Sequence, residues 1–273
     1  MTPTIIIDGN RRATPGELLR EYAEFGTLLR YLILRDLRLR YRHASLGALW
    51  VILQPLLPML MFTGVFARVL RPTTGDVPYS LFVLSGMVPW SFFSSSVSYG
   101  CMVFVSNANL INKVYMPRGI LPASAVLGSA VDLAAGCVLL CVYSIFMGRP
   151  PHWSWLAVPL FALQAIATSF AIALGLATLN SIVRDVKHAM PFLMQLWLYA
   201  TPVVYAPTLI PVQYRWLLGL NPMTSVVEGF RWALLGVPID IHLYLTSLAS
   251  AGFLALGAMA LFRHFEKSLA ERA

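Results

Sequence analysis

Charge is what this sequence has least of. Only 12% of its 273 residues are Asp, Glu, Lys or Arg, 58% are hydrophobic, and the mean hydropathy is +0.70. A soluble globular domain carries about 25% charged residues, so the composition argues against a soluble fold. Cysteine is scarce as well. Cys101, Cys137 and Cys141 all fall in apolar runs, which implies neither a disulfide framework nor a metal site. His43, His152, His188, His242 and His264 lie far apart, without the spacing of a zinc site. No Gly-x-x-x-x-Gly-Lys-Ser/Thr loop occurs, and the run Ser94-Ser95-Ser96 has no Gly-x-Ser-x-Gly elbow around it. The chain is therefore not expected to be an enzyme, and no catalytic residue or metal ligand is assigned. Residues 1–45 hold no apolar signal-peptide core, so the first hydrophobic segment is expected to stay in the protein.

What is present is a series of long apolar runs. A helix needs about 20 apolar residues to cross a hydrocarbon core about 30 Å thick. Residues 46–67, 79–105, 119–148, 156–180, 189–206 and 241–262 fit that need, with one carboxylate, Asp132, in the third. The expected architecture is an all-α integral membrane protein. A cytoplasmic N-terminus over 1–45 leads into a six-span domain over 46–263 and a tail over 264–273. The N-terminus, the loops after spans two and four, and the tail together hold fifteen of the twenty Lys and Arg residues. Retention of such residues in the cytoplasm predicts that both ends lie on that side. Because the basic residues flank spans at a headgroup surface, the net charge of +8 calls for membrane lipids and not for nucleic acid.

The segments that do not span are the more informative ones. Over residues 17–43, Leu18, Tyr22, Phe25, Leu29, Ile33 and Leu37 recur at steps of three or four among arginines, the pattern of an amphipathic helix. It is expected to lie parallel to the membrane in the cytoplasmic interface, as a plain anchor or as a docking ledge for a cytoplasmic partner. Residues 107–122 contain a short polar helix that Pro117 would stop. Leu110, Ile111, Val114 and Tyr115 recur at helical spacing there, so that side could seat in a groove on another protein while Asn107, Asn109, Asn112 and Lys113 face water. A solvated loop is the alternative.

Residues 207–240 hold two apolar pieces, 214–220 and 225–237, each too short to span. They are expected to be extracytoplasmic re-entrant or interfacial half-helices, tolerated at membrane depth only if buried in protein or lining a wet cavity. Glu228 and Arg231, three apart, suit a local ion pair that clamps one of them. Asp132 is read as a helix-packing residue in preference to a coupling-ion ligand. Most aromatics suit membrane-interface belts. Trp90, Phe92 and Phe93 in span two, with Trp197, Tyr199 and Tyr205 in span five, lie deeper and could stack on sugar rings in a conduit.

Several stretches together resemble a known family. Leu37-Arg38-Leu39-Arg40-Tyr41-Arg42-His43-Ala44-Ser45-Leu46-Gly47-Ala48-Leu49-Trp50, followed by Gln54-Pro55, looks like the entry to the first span of ABC-2 type export permeases. Leu84-Ser85-Gly86-Met87-Val88-Pro89-Trp90, Ser106-Asn107-Ala108-Asn109-Leu110-Ile111 and Val114-Tyr115-Met116-Pro117-Arg118 are similar to the polysaccharide and polyol-phosphate export branch, which serves O-antigen, capsule or teichoic acid. Arg184-Asp185-Val186, Asn221-Pro222-Met223-Thr224 and Glu228-Gly229-Phe230-Arg231 continue the match.

The resemblance implies a homodimer paired with two copies of a cytoplasmic ATPase that carries the ATP and Mg, with no cofactor in this chain. It implies a bacterial inner-membrane location and export of a lipid-linked polymer. In that family the short helix after span two couples the ATPase to the pore, which maps onto residues 107–117. The amphipathic helix packs near the ATPase, spans one and five line the conduit, and re-entrant helices guard the exit. Tyr205 and residues 207–236 then become gate elements, with Asn221, Pro222, Glu228 and Arg231 among them. An ABC-2 exporter of a drug or small lipid is the nearest alternative. A membrane transferase is more distant, since no acidic or His cluster marks a membrane face.

Overall fold

The computed structural model describes residues 25–41, 47, 49–70, 75–114 and 116–266. Among them there is no strand. The helices are α1 (Gly26–Tyr41), α2 (Leu49–Leu70), α3 (Tyr79–Ser106), α4 (Ala108–Lys113), α5 (Ile120–Phe146), α6 (Val158–Ile182), α7 (Val186–Ala200), α8 (Trp216–Gly219), α9 (Pro222–Leu235) and α10 (Ile241–Phe265). Residues 1–24 and 42–46, which hold much of the expected amphipathic segment, Tyr115 of the short polar helix, and the tail from 267 lie outside the described residues.

Five helical stretches are long and apolar enough to cross a membrane: Leu49–Ala67, Tyr79–Ser106, Ile120–Phe146, Trp153–Ile182 and Ile241–Phe265. They correspond to the expected spans one, two, three, four and six. The expected fifth span differs. Its helix, α7, has 15 residues and ends at Ala200, and residues 201–206 continue as turns. The cause is local. A residue before proline is pushed out of the helical region, and Thr201, ahead of Pro202, sits at φ −93° and ψ 136°.

The centre of the molecule is α3, most of whose residues are buried. It packs against α5 and α6 most extensively and also meets α2, α7 and α9. Its lack of any charge over Tyr79–Ser106 permits that position. At the periphery lie α2 and α10, each only 11% buried over its spanning stretch. Prolines 55 and 58 lie inside α2. The α1 helix packs along α5, with Leu32 in a second apolar core that also holds Ile120, Leu121 and Ala125 of α5. It is thus seated on the bundle and is not only an interfacial strip.

The α9 helix is defined by its ends. The Asn221 side chain accepts a hydrogen bond from the Met223 N–H, Pro222 occupies the first turn, and Gly236 closes the helix in the left-handed region at φ 69°. Those are the expected start and stop devices of a short helix. Asp240 caps α10 by accepting from the N–H groups of His242 and Leu243.

Candidate functional site

Two constellations bring the sequence-derived residues together, one at each end of the central helix α3. The first is at its C-terminal end, where α4 follows after Asn107. The Asn107 side-chain amide donates to the Val103 carbonyl at 2.9 Å, and its oxygen accepts from Arg35 of α1 at 2.9 Å. Arg35 is also paired with Asp36 at 2.8 Å. Asn107 therefore faces inward and fixes the turn between α3 and α4. Leu110 and Ile111 pack against the second core beside Leu28 and Leu29 of α1. Leu110 and Ile111, on the side that could seat in a groove on another protein, thus share a core with this chain's own α1. Asn109, Lys113 and Val114 are exposed, and Pro117 is half-buried. The Asn112 side chain lies outside the described residues.

Asn180, buried near the end of α6, ties the same end together. It donates to the Cys101 carbonyl of α3 at 3.1 Å and accepts from the Lys187 N–H at the start of α7 at 3.1 Å. Asn180 was not among the residues the sequence pointed to. Its signal was an amide in a mostly apolar run that also holds Gln164, Thr178 and Ser181, the pattern of interhelical hydrogen-bonding residues.

The second constellation joins α7 to α9 near the N-terminal half of α3. Arg231 is 0% exposed and pairs with Glu228 at 2.9 Å. Its other guanidinium nitrogen donates to the Val203 carbonyl at 2.6 Å, and the group lies 3.6 Å over the Phe82 ring of α3. The Tyr79 hydroxyl donates to the Val204 carbonyl at 2.9 Å. The turns after α7 thus have two carbonyls satisfied from neighbouring elements, as buried irregular backbone requires. The expected Glu228–Arg231 ion pair is present, and its target is the broken backbone itself. A Cβ on Gly86 would stand 3.1 Å from the Val203 carbonyl and 3.2 Å from Arg231, so only a residue without a side chain leaves both in place.

Asn221 does similar work at the other end of α9. Besides capping the helix, its oxygen accepts from the Trp197 indole at 3.0 Å. Its amide donates to the Thr201 hydroxyl at 2.8 Å and to the Ala200 carbonyl at 3.2 Å. A polar relay continues outward from there. The Ser247 hydroxyl donates to the Asn221 carbonyl at 2.6 Å and accepts from the Ser225 N–H at 2.9 Å. Gln164 donates to the Ser225 hydroxyl at 2.8 Å and accepts from Tyr244 at 3.0 Å. Three helices, α6, α9 and α10, are joined by this relay.

The six expected conduit aromatics divide. Trp90, Phe92 and Phe93 are buried, with Trp90 and Phe93 at 5.4 Å between ring centres. Phe93 meets Trp197 edge-on at 5.1 Å, so this stack connects α3 to α7. Tyr205 is half-buried, its hydroxyl donating to the Tyr199 carbonyl at 3.2 Å. Tyr199 points outward at 54% exposure, on the same helix as exposed Phe192, Leu193 and Leu196. An apolar groove of about 320 Å³ opens beside that face, lined by Leu176, Met190, Leu193, Met194, Trp197 and Ala200 among others.

Asp132 is the remaining residue of note. It pairs with Arg40 of α1 at 2.7 Å. A partner on the N-terminal helix was not foreseen, because 92 positions separate the two.

Comparison with known proteins gives the family. The family model described as ABC-2 type transporter matches residues 27–235. The chain is 33% identical to an O-antigen export system permease protein RfbA of Myxococcus xanthus, over 78% of this chain and 82% of that one. A protein of the same description from Klebsiella pneumoniae is 29% identical, over 87% and 91%. The polysialic acid transport protein KpsM of Escherichia coli is 26% identical, over 87% and 93%.

Proposed function

Because the chain belongs to the ABC-2 type transporter family, we propose that it is the permease subunit of an ATP-driven exporter that moves a polysaccharide or polyol-phosphate polymer across the bacterial inner membrane. The observation that carries this is its likeness, over about four fifths of its length or more, to permeases described as exporting O-antigen and polysialic acid. Two copies of this chain would form the passage, and two copies of a cytoplasmic ATPase would drive it. The polymer would be lipid-linked.

The parts take roles accordingly. The helix α4 is the coupling element, offering exposed Asn109, Lys113 and Val114 to the ATPase, while Asn107, Leu110 and Ile111 hold it to α1. Tyr205 and the segment from Pro207 to Gly236 form a re-entrant gate at the opposite face. Both of its ends lie near the start of α3 and its neighbours, since the Tyr79 hydroxyl reaches Val204 and Arg149 reaches the Leu235 carbonyl. Asn221 lies deeper, beside Trp197, which in turn meets Phe93. The outward faces of α2 and α7 line the passage, with Tyr199 and Tyr205 offered to sugar rings. The buried Phe93, itself backed by Trp90, holds α7 in place from behind through Trp197, while Phe92 lines the crevice between α2 and α5. A passage must bind weakly enough to release, which suits aromatic and polar contacts better than tight charge pairs.

Deleting the gene tests the proposal. The expected result is a polymer that accumulates inside the cell, disappears from the surface, and returns outside on complementation. Unchanged surface polymer together with accumulation of a small lipid or drug would overturn it.

A further inference from the structure

Arg40 is the point where the N-terminal helix is charge-locked to the bundle. Its guanidinium holds Asp132 at 2.7 Å, donates to the Ser129 hydroxyl at 3.2 Å, and lies 4.2 Å over the Tyr99 ring of α3. Both members of the pair are largely withdrawn from solvent, with side-chain exposures of 14% and 11%. Asp132 lies midway along α5, where a charge needs a partner if the helix crosses a bilayer. Beside the carboxylate is a small crevice that Gln54 of α2 and Ser91 and Ser95 of α3 also line. Thus α1, α2, α3 and α5 all meet around this one pair.

The other end of α1 is tied differently. Arg35 donates to Asn107 at the start of α4, and Leu28, Leu29 and Leu32 share a core with Leu110 and Ile111. A single helix of 16 residues therefore meets the turn between α3 and α4 at one site and the middle of α5 at another. An α-helix transmits displacement along its axis without much compression, because each residue is bonded to the turn before it.

We propose that Arg40 and Asp132 form a latch that makes α1, α4 and α5 move as one body, so that displacement of α4 reaches the membrane interior through α1 as well as through the turn at Asn107. The inference rests on the coupling role assigned to α4 above. Arg40 and Asp132 are positioning residues in this scheme and touch no substrate. With the latch open, α1 stays packed on the first turns of α5 through Leu32, Ile120, Leu121 and Ala125, but displacement no longer reaches the middle of α5 at Asp132.

The test uses the complex of this chain with its ATPase subunit in vesicles loaded with the exported polymer. Polymer moved per ATP hydrolysed is compared among the wild type, Arg40→Gln, Asp132→Asn, the exchanged pair Arg40→Asp with Asp132→Arg, and Arg38→Gln, an exposed neighbour on α1. The expected result is at least a tenfold fall in that ratio for each single variant, with ATP hydrolysis retained. The exchanged pair should recover most of the ratio, and Arg38→Gln should match the wild type. A purely structural pair would lower the yield of assembled complex and leave the ratio untouched. An unchanged ratio in the single variants, or an exchanged pair no better than they are, overturns the latch. Should Arg40→Gln not assemble, Arg40→Lys, which keeps the charge and loses the forked contact, is expected to lower the ratio severalfold, and an unaltered ratio there overturns the latch equally. Wild-type complex that moves no polymer would be a failure of the proposed function, whereas active wild type with unaltered variants is a failure of the latch alone.

Discussion

A guanidinium with no access to water depends on partners inside the protein, and Arg231 draws them from three elements, with its Nε–H left without an acceptor among the described residues. Glu228 neutralises it, the Val203 carbonyl accepts from it, and the Phe82 ring lies beneath it. Removing one member of a buried pair costs about 3–5 kcal/mol, because the remaining charge stays buried without compensation. Arg231→Met should therefore strip the Glu228 carboxylate of its partner and lower the thermal midpoint of the detergent-solubilised protein by many degrees. The double change Glu228→Gln with Arg231→Met removes both charges and should recover much of that loss. Melting curves followed by size-exclusion fluorescence distinguish the two outcomes, and equal losses would mean that the Val203 contact matters more than the pair. The pair itself was legible in the sequence, since its members stand three apart on a helix. Its targets were not legible, because nothing in a sequence brings Phe82 and Val203 to Arg231 except the packing of separate helices.

At the scale of elements, α9 is a short helix seated by contacts it cannot lose. A Cβ on Gly229 would fall on the ring of Phe161 in α6, while a Cβ on Gly257 of α10 would meet open space. Overpacking a filled core costs about 1–3 kcal/mol. Gly229→Ala is expected to destabilise the protein by about that much, and Gly257→Ala to leave its melting midpoint within a degree or two of the wild type. Asn221 seats the other end of the helix. Asn221→Ala loses a cap worth about 1 kcal/mol, together with the bonds to Trp197, Thr201 and Ala200. Backbone amides of Met223 to Val226 and of Val203 and Val204 should then exchange with deuterium faster, while those of α5 keep their protection. Asn221→Asp keeps the acceptor for Met223 and Trp197 but loses the donor, so its exchange should fall between the two. The sequence pointed to a short helix here because residues 225–237 form an apolar piece too short to span. It did not show the relay through Gln164, Ser225, Ser247 and Tyr244, whose members are ordinary polar residues until three helices bring them together.

For the whole molecule, the long apolar runs were enough to point to the five helices long and apolar enough to cross a membrane, because a long apolar helix has one stable home and needs no tertiary information to reveal it. They were not enough for residues 186–206. A helix of 15 residues rises about 22 Å, short of a hydrocarbon core of about 30 Å. The turns of residues 201–206 could add the remainder, since even compact backbone advances the chain by an ångström or more per residue and at most about 3.3 Å. Thr201, Pro202, Val203 and Val204 are buried, and irregular backbone survives at membrane depth only in that condition. A sixth crossing built from these two halves, a helix and a protein-covered break, would put both ends of the chain on one side of the membrane. In a background with Cys101, Cys137 and Cys141 replaced by serine or alanine, a single cysteine at exposed Arg184 or at Val212, which is 77% exposed, reports the side on which each loop lies. Val212→Cys should react with a membrane-impermeant maleimide in intact spheroplasts, and Arg184→Cys only after the membrane is opened. Labelling of both from the same side would mean that residues 186–206 enter and leave through one face, which would leave five crossings and put the two ends of the chain on opposite sides.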